Sequence, residues 1–498
     1  MSARVGEREP MAKVDTAWLR MESPENRMMI TGVMVLAERL PLARLRRLVA
    51  ERFLAFPRFR QRAVDTPAGA FWEEVEPDLD WHVQRVALGP TESREALQAL
   101  VSELASSGLD HERPLWQFHL VERFGQGSAL IARIHHCYAD GIALVQVLLS
   151  LTDTSPKSRS RDALPRRWLK EDGGDVFRRL LGAGRAGFSK ALAWTGRVFD
   201  FGGQMIRDPS LGAVILREGL HIARELARVI ALSDDPPTPL RRSLSAEKRV
   251  AWADPIPLEE IKAIGRAYDC TVNDVLLAAA SGAIRRLFVD LGENPDGLTI
   301  RATVPVNLRP LEHAKKLGNH FGLVFLELPI GEPNPVARLE RVAAGMRELK
   351  GSRQALVAYG LLGALGMGPQ ALQKPALELF SRKATVVATN VPGPQQPLYL
   401  AGARIADIMF WVPQSGSIGI GLSILSYDGS VRFGVIADRQ CLAEPEALVE
   451  RFRPELEKLL YLALLEDWEG PITAEAAEAW RKRLEATAST PVDGGAER

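Results

Sequence analysis

Strand and helix patterns alternate along two stretches of this chain, and the segment between them follows neither pattern; that break does most to limit the architecture. Residues 11–151 carry an apolar run from Met28 to Leu36, a helical pattern from Leu42 to Phe53 and several short strands. Residues 249–468 alternate strands such as TIRATVPVN, VFLELPI, ATVVATNV, IGIGLSILSY and VRFGVIAD with helices expected at Pro257 to Tyr268, Asn273 to Asp290 and Pro335 to Leu349. Between them, residues 152–248 turn to Ser-, Arg-, Gly- and Pro-rich texture (SPKSRSRDALPRR, DDPPTPLRR) around basic helical stretches, the composition of a linker with helices inserted. Residues 469–498 predict a last helix and a tail, STPVDGGAER, with nothing to bury. A length of 498 residues with 46% apolar content can fill two cores. The expectation is α/β: two domains with mixed sheets meeting at a cleft.

Several function classes drop out on composition. Lys plus Arg number 63 against 62 for Asp plus Glu, so nucleic acid is not expected as an electrostatic partner. Cys137, Cys270 and Cys441 lie far apart, without the spacing of a disulfide framework or zinc knuckle. The charged start MSARVGEREP is no signal peptide, and no uninterrupted apolar run reaches the roughly eighteen residues of a membrane span. Ala355 to Gln373 comes nearest, uncharged but broken by Gly360, Gly363, Gly366, Gly368 and Pro369; it reads as a buried helix or the flexible wall of an apolar channel. A cytoplasmic protein is expected.

The chemistry concentrates in LWQFHLVERFGQGSALIARIHHCYADGIALVQVLLSL. Trp116 to Glu122 alternates like a strand, FGQG makes a turn, and Ser128 to Ile134 returns as the second arm of a hairpin. Two of the eight histidines, His135 and His136, stand where that strand gives way to a loop, and Asp140-Gly141 opens an apolar helix. Imidazole has the pKa of a general base at neutral pH, and a nearby carboxylate can hold its ring or local backbone. The residues alone leave other readings open: half-buried hydrogen-bonding histidines, Asp140 as a simple helix cap, or a His/His/Asp metal site.

HHCYADG matches the HHxxxDG signature of the CoA-dependent acyltransferase superfamily. Asp15-x-x-x-Leu19-x-x-Glu22, Pro114-Leu115-Trp116, Asn273-Asp274 and Asn390-Val391-Pro392-Gly393-Pro394 follow in the order of the bacterial wax ester synthase/diacylglycerol acyltransferase family, which the chain resembles from about Lys13 to Leu464. Cys137 departs from the small residue common there. The resemblance implies a chloramphenicol acetyltransferase-like fold, with a channel admitting acyl-CoA from one side and a long-chain alcohol or diacylglycerol from the other. It implies His136 as general base, His135 as its support, and Asp140 in a structural salt bridge, for which Arg309 in VPVNLRP is the candidate partner. No metal or cofactor is implied, since acyl-CoA is a substrate. The alternatives are an acyltransferase or condensation enzyme with another hydroxyl acceptor, and a lipid-binding homologue without turnover.

The remaining motifs have structural readings beside functional ones. Pro114-Leu115-Trp116 opens a strand and reads as scaffold. Asn273-Asp274 reads as cap or support at a helix start, with a place near the reacting carbonyl as the functional alternative. Asn390, Pro392 and Gly393 belong to a rigid turn that the resemblance puts near the cleft. Gly182 to Gly187 spells GxGxxG without a strand before it, and neither GxSxG nor GxxxxGK[ST] occurs, against a dinucleotide site, a serine lipase and an NTPase. On a helix spanning Ala213 to Leu232, Arg217, His221, Arg224 and Arg228 share one face, either an interfacial contact with the inner membrane or lipid droplets or an ordinary solvated face.

Overall fold

A computed structural model describes residues 8–156, 231–308, 319–465 and 468–488, except positions 68, 90, 320, 352–353, 368–369, 415 and 469. The basic stretches between 157 and 230, the GxGxxG run and Arg309 lie outside the described residues, as do all but the last two positions of the Arg-striped helix.

Two seven-stranded mixed sheets organise the rest. The first runs Val83–Val86, Trp116–Phe124, Gly127–His135, Met29–Leu36, Ala403–Trp411, Tyr399–Leu400, Thr152–Asp153. Among the described residues only its Val83–Val86 pairing is parallel. The second runs Ile256–Pro257, Ser430–Asp438, Ile420–Tyr427, Val386–Pro392, Ile300–Asn307, Phe321–Leu328, with Lys248–Trp252 also on Ser430–Asp438. Val386–Pro392 is parallel to both its neighbours. The fold is therefore mixed α/β in two units. Ala403–Trp411 crosses the linear order: although in sequence it lies between Val386–Pro392 and Ile420–Tyr427 of the second sheet, it pairs with Met29–Leu36 of the first, Trp411 opposite Thr31 and Met409 opposite Val33.

The hairpin is the spine of the first sheet. Gly125 takes the positive φ of its two-residue turn, +55°. All nine residues of Gly127–His135 are buried because the strand is central and covered on both faces. Leu130, Ala132 and Ile134 pack into the main cluster, while Ala129 and Ile131 pack with Leu97 and Val101 of the helix Arg94–Ser106.

Helices bring the two units into register. Asp140 caps Gly141–Ser150, its Oδ1 accepting from the Ala143 N–H at 2.8 Å. The described part of the uncharged stretch lies in the helix Gln354–Met367 and the start of the helix Gln370–Ser381, and the first of these packs on both Lys13–Arg20 and Phe321–Leu328. That crossing needs Gly322, because a Cβ there would run into the Ala355 backbone. Gly322→Ala should cost about 1–3 kcal/mol, as overpacking does. A thermal midpoint equal to that of the unaltered protein would show that the helix can retreat. Among the described residues no helix is long and apolar enough to cross a membrane.

Candidate active site

His136 follows the last residue of the central strand, and both sides of its peptide backbone are held. Its N–H donates to the Met28 carbonyl at 2.6 Å, and its carbonyl accepts from Asn319 Nδ2 at 2.8 Å. Asn319 is itself fixed by Asp15, whose Oδ1 accepts from the Asn319 side chain at 2.8 Å and from its backbone N–H at 3.1 Å. Burial pushes the Asp15 carboxyl up to about 6 against those hydrogen bonds. The helix Lys13–Arg20 presents Trp18 one turn further on, and its indole stacks on the imidazole with ring centres 4.2 Å apart. Phe321 approaches the same ring, 5.5 Å between centres. Burial pushes His136 down to about 4; the charge of Asp140, its own backbone and the Asn319 side chain oppose that shift. Nδ1 is buried without a hydrogen-bond partner among the described residues.

His135 does a different job. Its Nδ1 accepts from the Cys137 N–H at 3.1 Å, so the neutral ring carries its proton on Nε2. Nε2 faces Glu22 Oε2 at 3.3 Å, an electrostatic contact outside hydrogen-bond geometry. Glu22 is also held by His111 at 3.0 Å and Arg27 at 3.5 Å. Burial alone would raise the Glu22 carboxyl, but His111 and His135 outweigh it and hold it well below the usual carboxylate range. His135 thus braces the loop from below.

His136 opens into a cavity of about 710 Å³, part of it continuous with solvent, between the two units. Trp18, His136, Asp140 and Gly141 line it from the first unit; Thr303, Phe321, Leu323, Thr389, Asn390 and Val391 line it from the second. Side chains such as Phe321, Leu323, Val387 and Val412 make the wall mostly apolar.

Asn390 and Val391 apart, the other motif residues stand behind this wall. Trp116 is fully buried with Nε1 donating to the Phe59 carbonyl at 2.9 Å. The Leu115 N–H donates to Tyr138 Oη at 3.0 Å and its carbonyl accepts from the His135 N–H at 2.9 Å, so the strand after Pro114 supports the HHCYADG loop without reaching the cavity. Thr271 caps Val272–Asp290 in a capping box with Asp274, whose Oδ2 accepts from the Thr271 N–H at 2.9 Å and Oγ1 at 2.7 Å. Asn273 Oδ1 accepts from Asn390 Nδ2, joining two motifs 117 residues apart. Pro392 is exposed, and the Gly393 N–H donates to the Ser426 carbonyl at 2.9 Å. A Cβ on Gly393 would meet that same oxygen.

Trp18, Asn319, Phe321 and Thr389 escaped the sequence reading. Trp18 had a signal: in a helix Asp15, Trp18, Leu19 and Glu22 share one face. Asn319 in KKLGNHFG has no periodic neighbour to betray it. Among the described residues no group of three or more His, Cys, Asp or Glu side chains is placed to hold a metal.

Comparison with known proteins gives the same direction. Residues 11–276 match the family described as wax ester synthase/diacylglycerol acyltransferase catalytic domain, and residues 317–460 its C-terminal domain. A probable diacylglycerol O-acyltransferase of Mycobacterium tuberculosis is 29% identical over 412 residues, 82% of this chain and 84% of that protein. The solved wax ester synthase/diacylglycerol acyltransferase from Marinobacter aquaeolei VT8 superposes with a TM-score of 0.62 at 22% identity, over 91% of this chain and 100% of that one. The first condensation domain of the calcium-dependent antibiotic synthetase superposes at 0.58 and 14% identity, over 94% and 98%. These likenesses establish the chloramphenicol acetyltransferase-like fold. With the catalytic-domain match spanning more than half of its length, the chain belongs to the wax ester synthase/diacylglycerol acyltransferase family of O-acyltransferases.

Proposed function

We propose that the protein transfers a fatty acyl group from acyl-CoA to a long-chain alcohol or diacylglycerol, with His136 as general base. One observation carries this reading: an imidazole kept neutral by burial lines an apolar cavity between the units, its backbone held on both sides and its ring stacked on Trp18. Because Nδ1 is buried, Nε2 is the nitrogen assigned to the acceptor hydroxyl. That nitrogen takes the hydroxyl proton as the oxygen bonds to the thioester carbon. The carbonyl π pair moves to oxygen, returns as the C–S bond breaks, and the departing CoA thiolate takes the proton from His136. Such base assistance is worth ~10² to 10⁴ in rate. The reaction is redox neutral and the thioester arrives activated, so no resident metal or cofactor belongs to the proposal. Asp140 holds the helix start beside the base, and Arg309 is its proposed ion-pair partner, since the strand Ile300–Asn307 just before it contributes Thr303 and Pro305 to the cavity wall with Asp140.

Palmitoyl-CoA with hexadecanol or dioleoylglycerol should yield free thiol and ester in equal amounts. Thiol without ester, or neither product, would overturn the reading. The acid limb of kcat/KM should fall near pH 4 and not near 6.5, because the free enzyme's base titrates there; a limb between 6 and 7 would assign the titration to another group.

Such acceptors reside in bilayers or lipid droplets, so reversible attachment to a lipid surface completes the proposal, with the basic residues Arg217, Arg224 and Arg228 as its means. Anionic lipid attracts basic residues at ~1 kcal/mol each. Changing all three to Gln should weaken salt-sensitive binding to phosphatidylserine-containing liposomes, and equal binding at low salt would remove the attachment from the reading.

A further inference from the structure

Attack of a hydroxyl on a thioester puts negative charge on the former carbonyl oxygen, and a mostly apolar site meets that charge best with a donor already in position. Alternation along Val386–Pro392 sets Val387, Thr389 and Val391 on one face. Val387 and Val391 belong to the cluster around the His136 loop, whereas Val386 and Ala388 belong to the core of the second unit. Thr389 is the hydroxyl of that face. It is only 5% exposed, it lines the cavity with His136, and its Oγ1 has no hydrogen-bond partner among the described residues.

Three other side-chain donors line the cavity and fit less well. Asn390 Nδ2 is engaged, donating to Asn273 Oδ1. Thr303 Oγ1 is engaged, donating to the Val386 carbonyl at 3.4 Å. Trp18 Nε1 is buried and also without a partner among the described residues, but its ring is committed to the stack on His136 and its N–H cannot leave the ring plane. A hydroxyl turns about a single bond. Leaving it buried and unsatisfied costs stability, so its place beside the base calls for a reason beyond packing.

We propose that Thr389 is a catalytic residue whose hydroxyl donates a hydrogen bond to the oxyanion of the tetrahedral intermediate. The proton stays on Oγ1 throughout: the bond strengthens as the carbonyl π pair moves to oxygen and weakens as that pair returns and the C–S bond breaks. This deepens the acyl-transfer reading and rests on it.

The test compares wild type, Thr389→Val, Thr389→Ser and Ser423→Ala with palmitoyl-CoA and hexadecanol, each with its thermal midpoint. Ser423 faces Thr389 in the strand register and has a buried hydroxyl without a partner among the described residues, but it does not line the cavity. Thr389→Val should lower kcat by about 10²-fold, as loss of one oxyanion donor does, with KM within about threefold and the midpoint equal or higher. Thr389→Ser should recover most of the rate, and Ser423→Ala should stay within about threefold of wild type. A packing role would give the reverse order, valine active and serine impaired. Valine turning over at the wild-type rate, or an equal loss in Ser423→Ala, would overturn the Thr389 role alone. Absence of wild-type turnover would overturn the acyl-transfer reading, and the Thr389 role with it.

Discussion

Replacing His136 by alanine is expected to lower the rate of thiol release from acyl-CoA by ~10² to 10⁴ while the protein stays folded. The ring makes no hydrogen bond that the hairpin depends on, since both backbone contacts, to Met28 and Asn319, survive the substitution. The same variant has a pH signature in stability. His136 is held near 4 against 6.5 in the unfolded chain, so between those values the unfolded state binds a proton that the folded state does not. Stability therefore falls as pH drops from 6.5 to 4. His82 and His119, also pushed down to about 4 by burial, act in the same sense. Asp15, raised to about 6, acts oppositely: the folded state takes its proton first, which adds stability as pH falls from 6 to 3.8. The net is acid sensitivity, and removing His136 should shrink its slope by about one proton, ~1.4 kcal/mol per pH unit. Unfolding free energies at pH 7, 6 and 5 measure this. His135→Ala should keep appreciable activity because its ring faces Glu22 and not the cavity. Full activity in His136→Ala would remove this residue from the chemistry.

Asp438→Ala should destabilise the protein by ~3–5 kcal/mol, the cost of breaking a buried ion pair. Asp438 Oδ2 meets Lys248 Nζ at 2.7 Å with both side chains almost wholly buried. Oδ2 also accepts from the Ser245 N–H at 2.8 Å, and Oδ1 accepts from Ser245 Oγ at 3.0 Å and the Gln440 N–H at 2.9 Å. Lys248 starts the strand that ties the units together: its N–H donates to Ser106 Oγ at 2.8 Å and the Val250 N–H to Ser102 Oγ at 2.9 Å, both on Arg94–Ser106 of the first unit. Losing the carboxylate strands the ammonium in that joint. Asp438→Leu combined with Lys248→Met should recover much of the loss, because no uncompensated charge remains. Urea denaturation of the single and double variants decides it, and a loss under about 1 kcal/mol in Asp438→Ala would show that water reaches Lys248.

The amino-acid order by itself determined what local physics can write. Alternation and FGQG specified the hairpin that ends at His135 and His136, and Asp140 before an apolar run specified a capped helix. The texture change after residue 151 separated two α/β stretches, and five ordered motifs carried the family. Tertiary structure alone decided how these pieces meet. Ala403–Trp411 joins the first sheet because backbone hydrogen bonds are nearly blind to side chains, and a strand's apolar pattern tells which faces are buried but not which strand lies alongside. Asn273 meets Asn390, and Glu22 meets His135, for the same reason: contacts across 117 and 113 residues leave no local period. The setting of His136 depends on two separate segments, one carrying Trp18 and the other Asn319 and Phe321, that converge on one imidazole and its backbone. Its low pKa is a property of that convergence, since desolvation exists only once the two units have closed around the ring.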